Sequence, residues 1–157
     1  MNTEEFLKLD YWEFDQAPQG WRSISEFTDA SNADYLVAGI LCEEYYAKRD
    51  DVAQQDRAMV AFHAGQNYAF GGAYANAILN FERAFRENEN RADWNAYVTA
   101  TIAFLRKDKH ALIVARASLS TIPGQMNLNV VDRLITHFDD SYKAAYLARI
   151  DDSRANR

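Results

Sequence analysis

The stretch Gly65-Gln66-Asn67-Tyr68-Ala69-Phe70-Gly71-Gly72-Ala73-Tyr74-Ala75-Asn76-Ala77-Ile78-Leu79-Asn80-Phe81-Glu82-Arg83-Ala84 decides the fold. Its small residues (Gly65, Ala77, Ala84) and its aromatics (Tyr68, Tyr74, Phe81) fall at helix-contact spacings on either side of Gly71-Gly72. Side chains three and four positions apart share one helical face, and a glycine pair breaks a helix. Two helices approach closely only where side chains are small, so the pattern predicts an antiparallel pair with Gly65 facing Ala77 and the aromatics filling the flanks.

Helical patterns continue outward from this pair. Ser31 or Asn32 can cap a helix carrying Tyr35, Leu36, Ile40, Leu41, Tyr45 and Tyr46, with Lys48-Arg49 suited to its C-terminus. Asp50 and Asp51 suit the start of the next helix, which runs to Phe70, and Ala73–Glu87 follows. Downstream, Ala92–Leu105 carries Trp94, Tyr97, Val98, Ile102 and Leu105. Asp108 caps a helix with Ala111, Leu112, Ala115 and Leu119 inward, stopped near Pro123-Gly124, and Leu128–Phe138 and Ser141–Ile150 complete the chain. No stretch alternates with period two, so no sheet is expected. Residues 1–30 differ: Phe6, Tyr11, Trp12, Phe14, Trp21 and Phe27 lack a long helical period and surround a Pro18-Gln19-Gly20 turn signal. They predict an aromatic arm, with a short helix near Ser23–Asp29, packed on a helical domain of residues 31–157.

Ala77 is echoed by Ala111 and Ala145, each 34 residues on. Setting 58–91, 92–125 and 126–157 beneath one another also aligns Tyr74 with Tyr142, through Asp108. This resembles the tetratricopeptide repeat, a pair of antiparallel helices with that period. Gly65 and Tyr68 match the family's first-helix pair, Gly72 and Tyr74 its turn, and Ala77, Phe81 and Ala84 its second helix. The match is good over 58–91, partial over 92–125, where Thr99, Ile102 and Arg106 depart from it, and weak over 126–157, where Arg133 and Thr136 do. The resemblance implies an all-α fold of about seven helices, a short right-handed array of antiparallel pairs.

In that family the first helices of successive pairs line a concave groove. Carried over by alignment, the groove is aromatic and apolar with isolated polar groups, and its candidate binding residues are Phe62, His63, Gln66, Phe70, Tyr97, Phe104 and His137. Such a lining suits an amphipathic helix or an extended peptide with bulky side chains, unless the N-terminal arm or a second copy of the chain fills it. The family's clamp for a terminal carboxylate is missing: its positions hold Phe62, Gln66, Tyr97, Asn127 and Val131. The resemblance therefore implies a non-enzymatic protein- or peptide-binding module without that clamp.

Bulk properties narrow the alternatives. The 157 residues are 48% hydrophobic and 25% charged, an ordinary globular balance for one domain. The net charge of −6 and the absence of a basic stripe argue against a nucleic-acid partner. The acidic start Met1–Asp10 is unlike a secretory signal, no window approaches a membrane span, and the single Cys42, set in an apolar run, reads as a buried thiol. A cytoplasmic protein is expected. His110 reads as exposed, and no histidine is expected to meet another histidine or a carboxylate along its own helix in a metal motif, so no cofactor is implied. Glu43-Glu44 and Asp139-Asp140 are adjacent and split across helix faces. Glu26 and Asp29 have the spacing of a magnesium pair, but no facing helix supplies another. Asn67, Asn95 and Thr99 are candidates for a buried polar network. Two further readings stay open: a small helical-bundle enzyme or metal-binding protein centred on His63 and His137, and a homodimer through the C-terminal helices, where Tyr142, Tyr146, Leu147 and Ile150 form an apolar stripe.

Overall fold

The structure, a computed structural model, describes residues 2–25, 30–87 and 92–149. Phe27, the Glu26/Asp29 pair, Ile150 and most of the helix expected near Ser23–Asp29 lie outside the described residues. Among the described residues every regular element is helical and no strand occurs, and within each of two compact units consecutive helices pack as neighbours. The chain divides into two compact units, Met1–Arg91 and Ala92–Arg157. Composition alone draws a boundary at residue 30. In the structure Phe14 and Trp21 share one core with Ala38, Leu41, Cys42, Tyr45, Val60 and Ala64, so the aromatic segment belongs to the first unit.

The first unit comprises α1 (Thr3–Leu7), a π-helical turn over Trp12–Gln16, a 3-10 turn over Trp21–Ser23, and the helices α2 (Asn32–Lys48), α3 (Gln54–Phe70) and α4 (Tyr74–Glu82). Ser31 and Asp34 form a reciprocal capping box at the start of α2. Asp51 does not open α3, because the Arg49 guanidinium holds both of its carboxylate oxygens, at 2.7 and 2.8 Å. The helix begins instead at Gln54, after an uncapped Ala53. Helix α4 stops five residues short of Glu87: Arg83 and Ala84 donate three residues back, to Asn80 and Phe81, and tighten its last turn.

Two glycines set how closely these helices approach. A Cβ on Gly65 would stand 2.8 Å from the ring of Phe81, and one on Gly39 would stand 3.1 Å from the ring of Tyr68. Each glycine therefore seats an aromatic of the next helix, and the atoms nearest Gly65 are those of Phe81 rather than Ala77.

The second unit comprises α5 (Ala92–Leu105), α6 (Lys109–Ser120), α7 (Leu128–Thr136) and α8 (Tyr142–Leu147). Asp108 caps α6 by accepting from the Ala111 amide, and Ser141 caps α8 by accepting from Ala144. Leu112, Leu119, Val131, Leu134 and Tyr142 form its buried centre, with Phe104 edge-on to Phe138 and Tyr142. Lys107 donates to the carbonyls of Phe138 and Asp140 and lies over the Phe104 ring, tying the α7–α8 connection to the end of α5.

The two units share one turn. After α3, Gly71, Gly72 and Ala73 donate to Asn67, Ala69 and Tyr68; after α5, Arg106, Lys107 and Asp108 donate to Ile102, Phe104 and Ala103. The bond pattern is the same, and the residue in the left-handed region is Gly72 in one (φ 83°) and Lys107 in the other (φ 56°). These turns lie 35 residues apart, not 34. The buried position of Ala77 thus falls to Leu112, while Ala111 is only half-buried. An apolar stripe fixes register only to within one residue where two apolar candidates adjoin, as at Ala111-Leu112.

Candidate functional site

The most concentrated polar chemistry in the described residues lies where the N-terminal segment meets α3. A Cβ on Gly20 would fall 1.8 Å from the carbonyl oxygen of Phe14, so only glycine lets the chain fold back there. The reversal brings Trp21 beside Asp15. The Phe14 ring stacks on Tyr45 of α2 with centroids 3.8 Å apart, anchoring the segment from the other side.

Asp15 is fully buried and accepts from three side chains. Trp21 Nε1 donates to Oδ1 at 3.0 Å, Gln16 Nε2 donates to Oδ2 at 2.6 Å, and His63 Nδ1 lies 2.7 Å from Oδ1. Arg22 Nε donates to the Asp15 carbonyl at 2.9 Å. One helical turn beyond His63, Asn67 donates to the His63 carbonyl and accepts from the buried Ser25 hydroxyl. Positions 63 and 67 of α3 therefore both hold the N-terminal segment. Burial alone would raise the Asp15 carboxyl, but the facing His63 and the hydrogen bonds from His63, Trp21 and Gln16 outweigh it and hold the carboxyl below its ordinary range.

An imidazole oriented by a buried carboxylate has the geometry of a general base with its orienting acid. The thiol nearest in the core does not complete such a site. Burial, followed by the charge of Asp15, pushes the Cys42 thiol well above its ordinary value and keeps it protonated. Among the described residues no group of three or more His, Cys, Asp or Glu side chains converges as a metal site. What the junction does is fasten a segment of chain to a helix.

The residues expected to line a groove fall into two classes. Phe62, Gln66, Phe70, Tyr97 and Phe104 are all at most 4% exposed. Phe62 meets Phe81 and His63, Phe70 stacks on Tyr35, Tyr97 meets Trp94, and Phe104 meets Phe138. These five are enclosed side chains, not a displayed lining. The side chains of His63 and His137 are 12% and 35% exposed. His137 lies just past the end of α7, and its Nδ1 is 3.0 Å from Asp140, a local carboxylate partner that the sequence pattern did not suggest. Within the candidate set, the structure brings Phe62 and His63 together directly. In α5, Thr99 is exposed and donates only to the Asn95 carbonyl, so of the expected polar network Asn67 alone is deeply buried. On α8, Tyr142 is enclosed, Tyr146 is half-buried and Leu147 is exposed.

Asp15, Trp21 and Ser25 were not legible as partners of α3, because 48 and 42 residues separate Asp15 from His63 and Ser25 from Asn67. The available signal was the pair itself: His63 and Asn67 stand one turn apart in the largely apolar stretch 58–70 of α3, and there they need buried partners.

A second polar cluster ties α2 to α3 and α4. Glu43 accepts from Tyr68 at 2.8 Å, from Arg83 at 2.8 Å and more weakly from Asn80 at 3.4 Å. Burial opposes ionisation of Glu43, and the bonds from Tyr68, Arg83 and Asn80 prevail, lowering its carboxyl below the ordinary value.

Among the described residues no helix is long and apolar enough to cross a membrane. No protein-family model, curated protein or solved structure matches the chain.

Proposed function

We propose that this chain is a non-enzymatic protein- or peptide-binding module of the cytoplasm, built from tetratricopeptide-like helix pairs. One observation carries the reading: the α2/α3 pair already grips a segment of polypeptide that is not part of the pair. Phe14 and Trp21 fill apolar positions, and Asp15 is clasped by His63. That combination of aromatic anchors with one buried, charge-assisted bond is how helical surfaces hold peptides. The N-terminal segment is then the resident occupant, and the ligand is a segment of similar character: an acid flanked by aromatics. The repeated turn after α3 and after α5 supports the repeat architecture, and the single buried Cys42 suits a reducing compartment.

Panning a random peptide library against the intact chain and its Asp15→Ala variant tests this. The expected result is enrichment of sequences pairing an acid with aromatics, stronger on the variant, whose resident segment is loosened. No enrichment on either protein, with both folded by circular dichroism, contradicts the reading.

A further inference from the structure

A cleft of about 150 Å³ opens at one end of the α2, α3 and α4 helices of the first unit, away from the Asp15 junction in sequence and chemistry. It is lined by Tyr46 of α2, Gln54, Arg57 and Ala58 of α3, and Arg83 and Phe85 at the end of α4. Two guanidiniums and no carboxylate line it, in a chain that carries 23 acids against 17 bases.

The two arginines are not equally committed. Arg83 is paired with Glu43 at 2.8 Å and also reaches Asn80. Arg57 donates through Nε and Nη2 to the Tyr46 carbonyl, at 3.3 and 2.9 Å. Among the described residues no carboxylate pairs with Arg57, and its Nη1 has no hydrogen-bond acceptor. Both guanidiniums lie over the Tyr46 ring, with Cζ 4.6 and 5.7 Å from its centroid, so the planar fork of Arg57 is held in place by stacking. Beside them Phe85 is 39% exposed, an aromatic side chain left open at the rim of a cationic cleft.

A guanidinium whose donors are only half used selects an oxyanion, and an open aromatic edge favours a flat apolar body attached to it. The volume is about that of cavities that admit a single benzene ring. We propose that this cleft binds an aromatic carboxylate, its carboxylate on the Nη1 edge of Arg57 and its ring against Phe85. This goes beyond the peptide-binding reading above and does not depend on it, because the cleft shares no residue with the Asp15 junction.

The test is an NMR titration of the full chain with benzoate, with benzamide and inorganic phosphate as comparison arms. It follows the Arg57 Nε–H and Phe85 ring resonances. Benzoate is expected to produce saturable shifts at both, and benzamide none. Phosphate should move Arg57 without moving the Phe85 ring. Arg57→Gln, which keeps a donor for the Tyr46 carbonyl, is expected to weaken benzoate about tenfold through loss of a charge-assisted bond. Phe85→Ala is expected to weaken benzoate while leaving phosphate unchanged. Linear, non-saturating shifts, equal responses to benzamide, or unchanged affinity in folded Arg57→Gln would each overturn the proposal. Phosphate and benzoate binding equally tightly would overturn its aromatic half.

Discussion

Helices α3 and α5 open the same turn, yet they are built from different chemistry. In the register set by that turn, His63, Gln66 and Asn67 of α3 correspond to Val98, Thr101 and Ile102 of α5. All three positions of α5 are buried, and Thr101 satisfies its hydroxyl locally on the Tyr97 carbonyl. In α3 His63 and Asn67 instead reach out of their helix to Asp15 and Ser25. A buried polar side chain without a partner costs free energy, so His63 and Asn67 are tolerable only with the N-terminal segment in place. Scaffold and occupant are therefore matched in the first unit. At the same positions the first helix of the second unit, closed by α7 and α8, is apolar at Val98 and Ile102 and satisfies Thr101 within the helix.

The largest test of this contrast is Phe14→Ala. It removes a stacked core ring and is expected to cost about 4 kcal/mol. Amide exchange should accelerate in α2 and α3 and stay unchanged in α5 and α6. Next, His63→Val installs the α5 residue in α3. It removes the His63 partner of the buried Asp15 carboxylate, leaving only Trp21 and Gln16, and should cost about 3 kcal/mol in chemical denaturation. Gly65→Ala is expected to cost about 2 kcal/mol, because the new Cβ meets the Phe81 ring, whereas α5 already carries Ala100 at the matching position.

Acid sharpens the same comparison. The folded carboxyl of Asp15 lies below its ordinary value of 3.8, so the unfolded chain binds its proton first. The stability it confers is complete above 3.8 and is lost as pH falls below that toward the folded value. An acid titration followed by Trp21 fluorescence should show this loss, diminished in Asp15→Asn. The smallest effect belongs to the shared turn. Gly72→Ala should cost about 1 kcal/mol, from the left-handed backbone alone, since nothing lies near the added carbon. Lys107→Gly relieves the same conformation but forfeits the bonds to Phe138 and Asp140, so its thermal midpoint should barely move.

The helices were legible because their signals are local. Gly71-Gly72, Ser31, Asp108 and Ser141 mark ends whose bonds lie within a few residues. The ends of α4 and α7 were less so, because apolar residues such as Phe85 and Phe138 continue the stripe after the helical bonds have ceased. The candidate site was half legible. His63 stands out on α3 by type and position, but its partner lies in a segment without periodicity, folded back by Gly20. The aromatic positions Phe62, Phe70, Tyr97 and Phe104 carry the same pattern whether a helix faces a partner or its own neighbours, and here they face their neighbours.

His63 and Asn67 of α3 serve to hold the N-terminal segment. A double-mutant cycle of Asp15→Ala and His63→Ala, measured by denaturant unfolding at neutral pH, tests it most directly. The account predicts a coupling of about 2 kcal/mol, with the double variant far less damaged than the sum of the singles. Additivity of the two substitutions to within about 0.5 kcal/mol would contradict it.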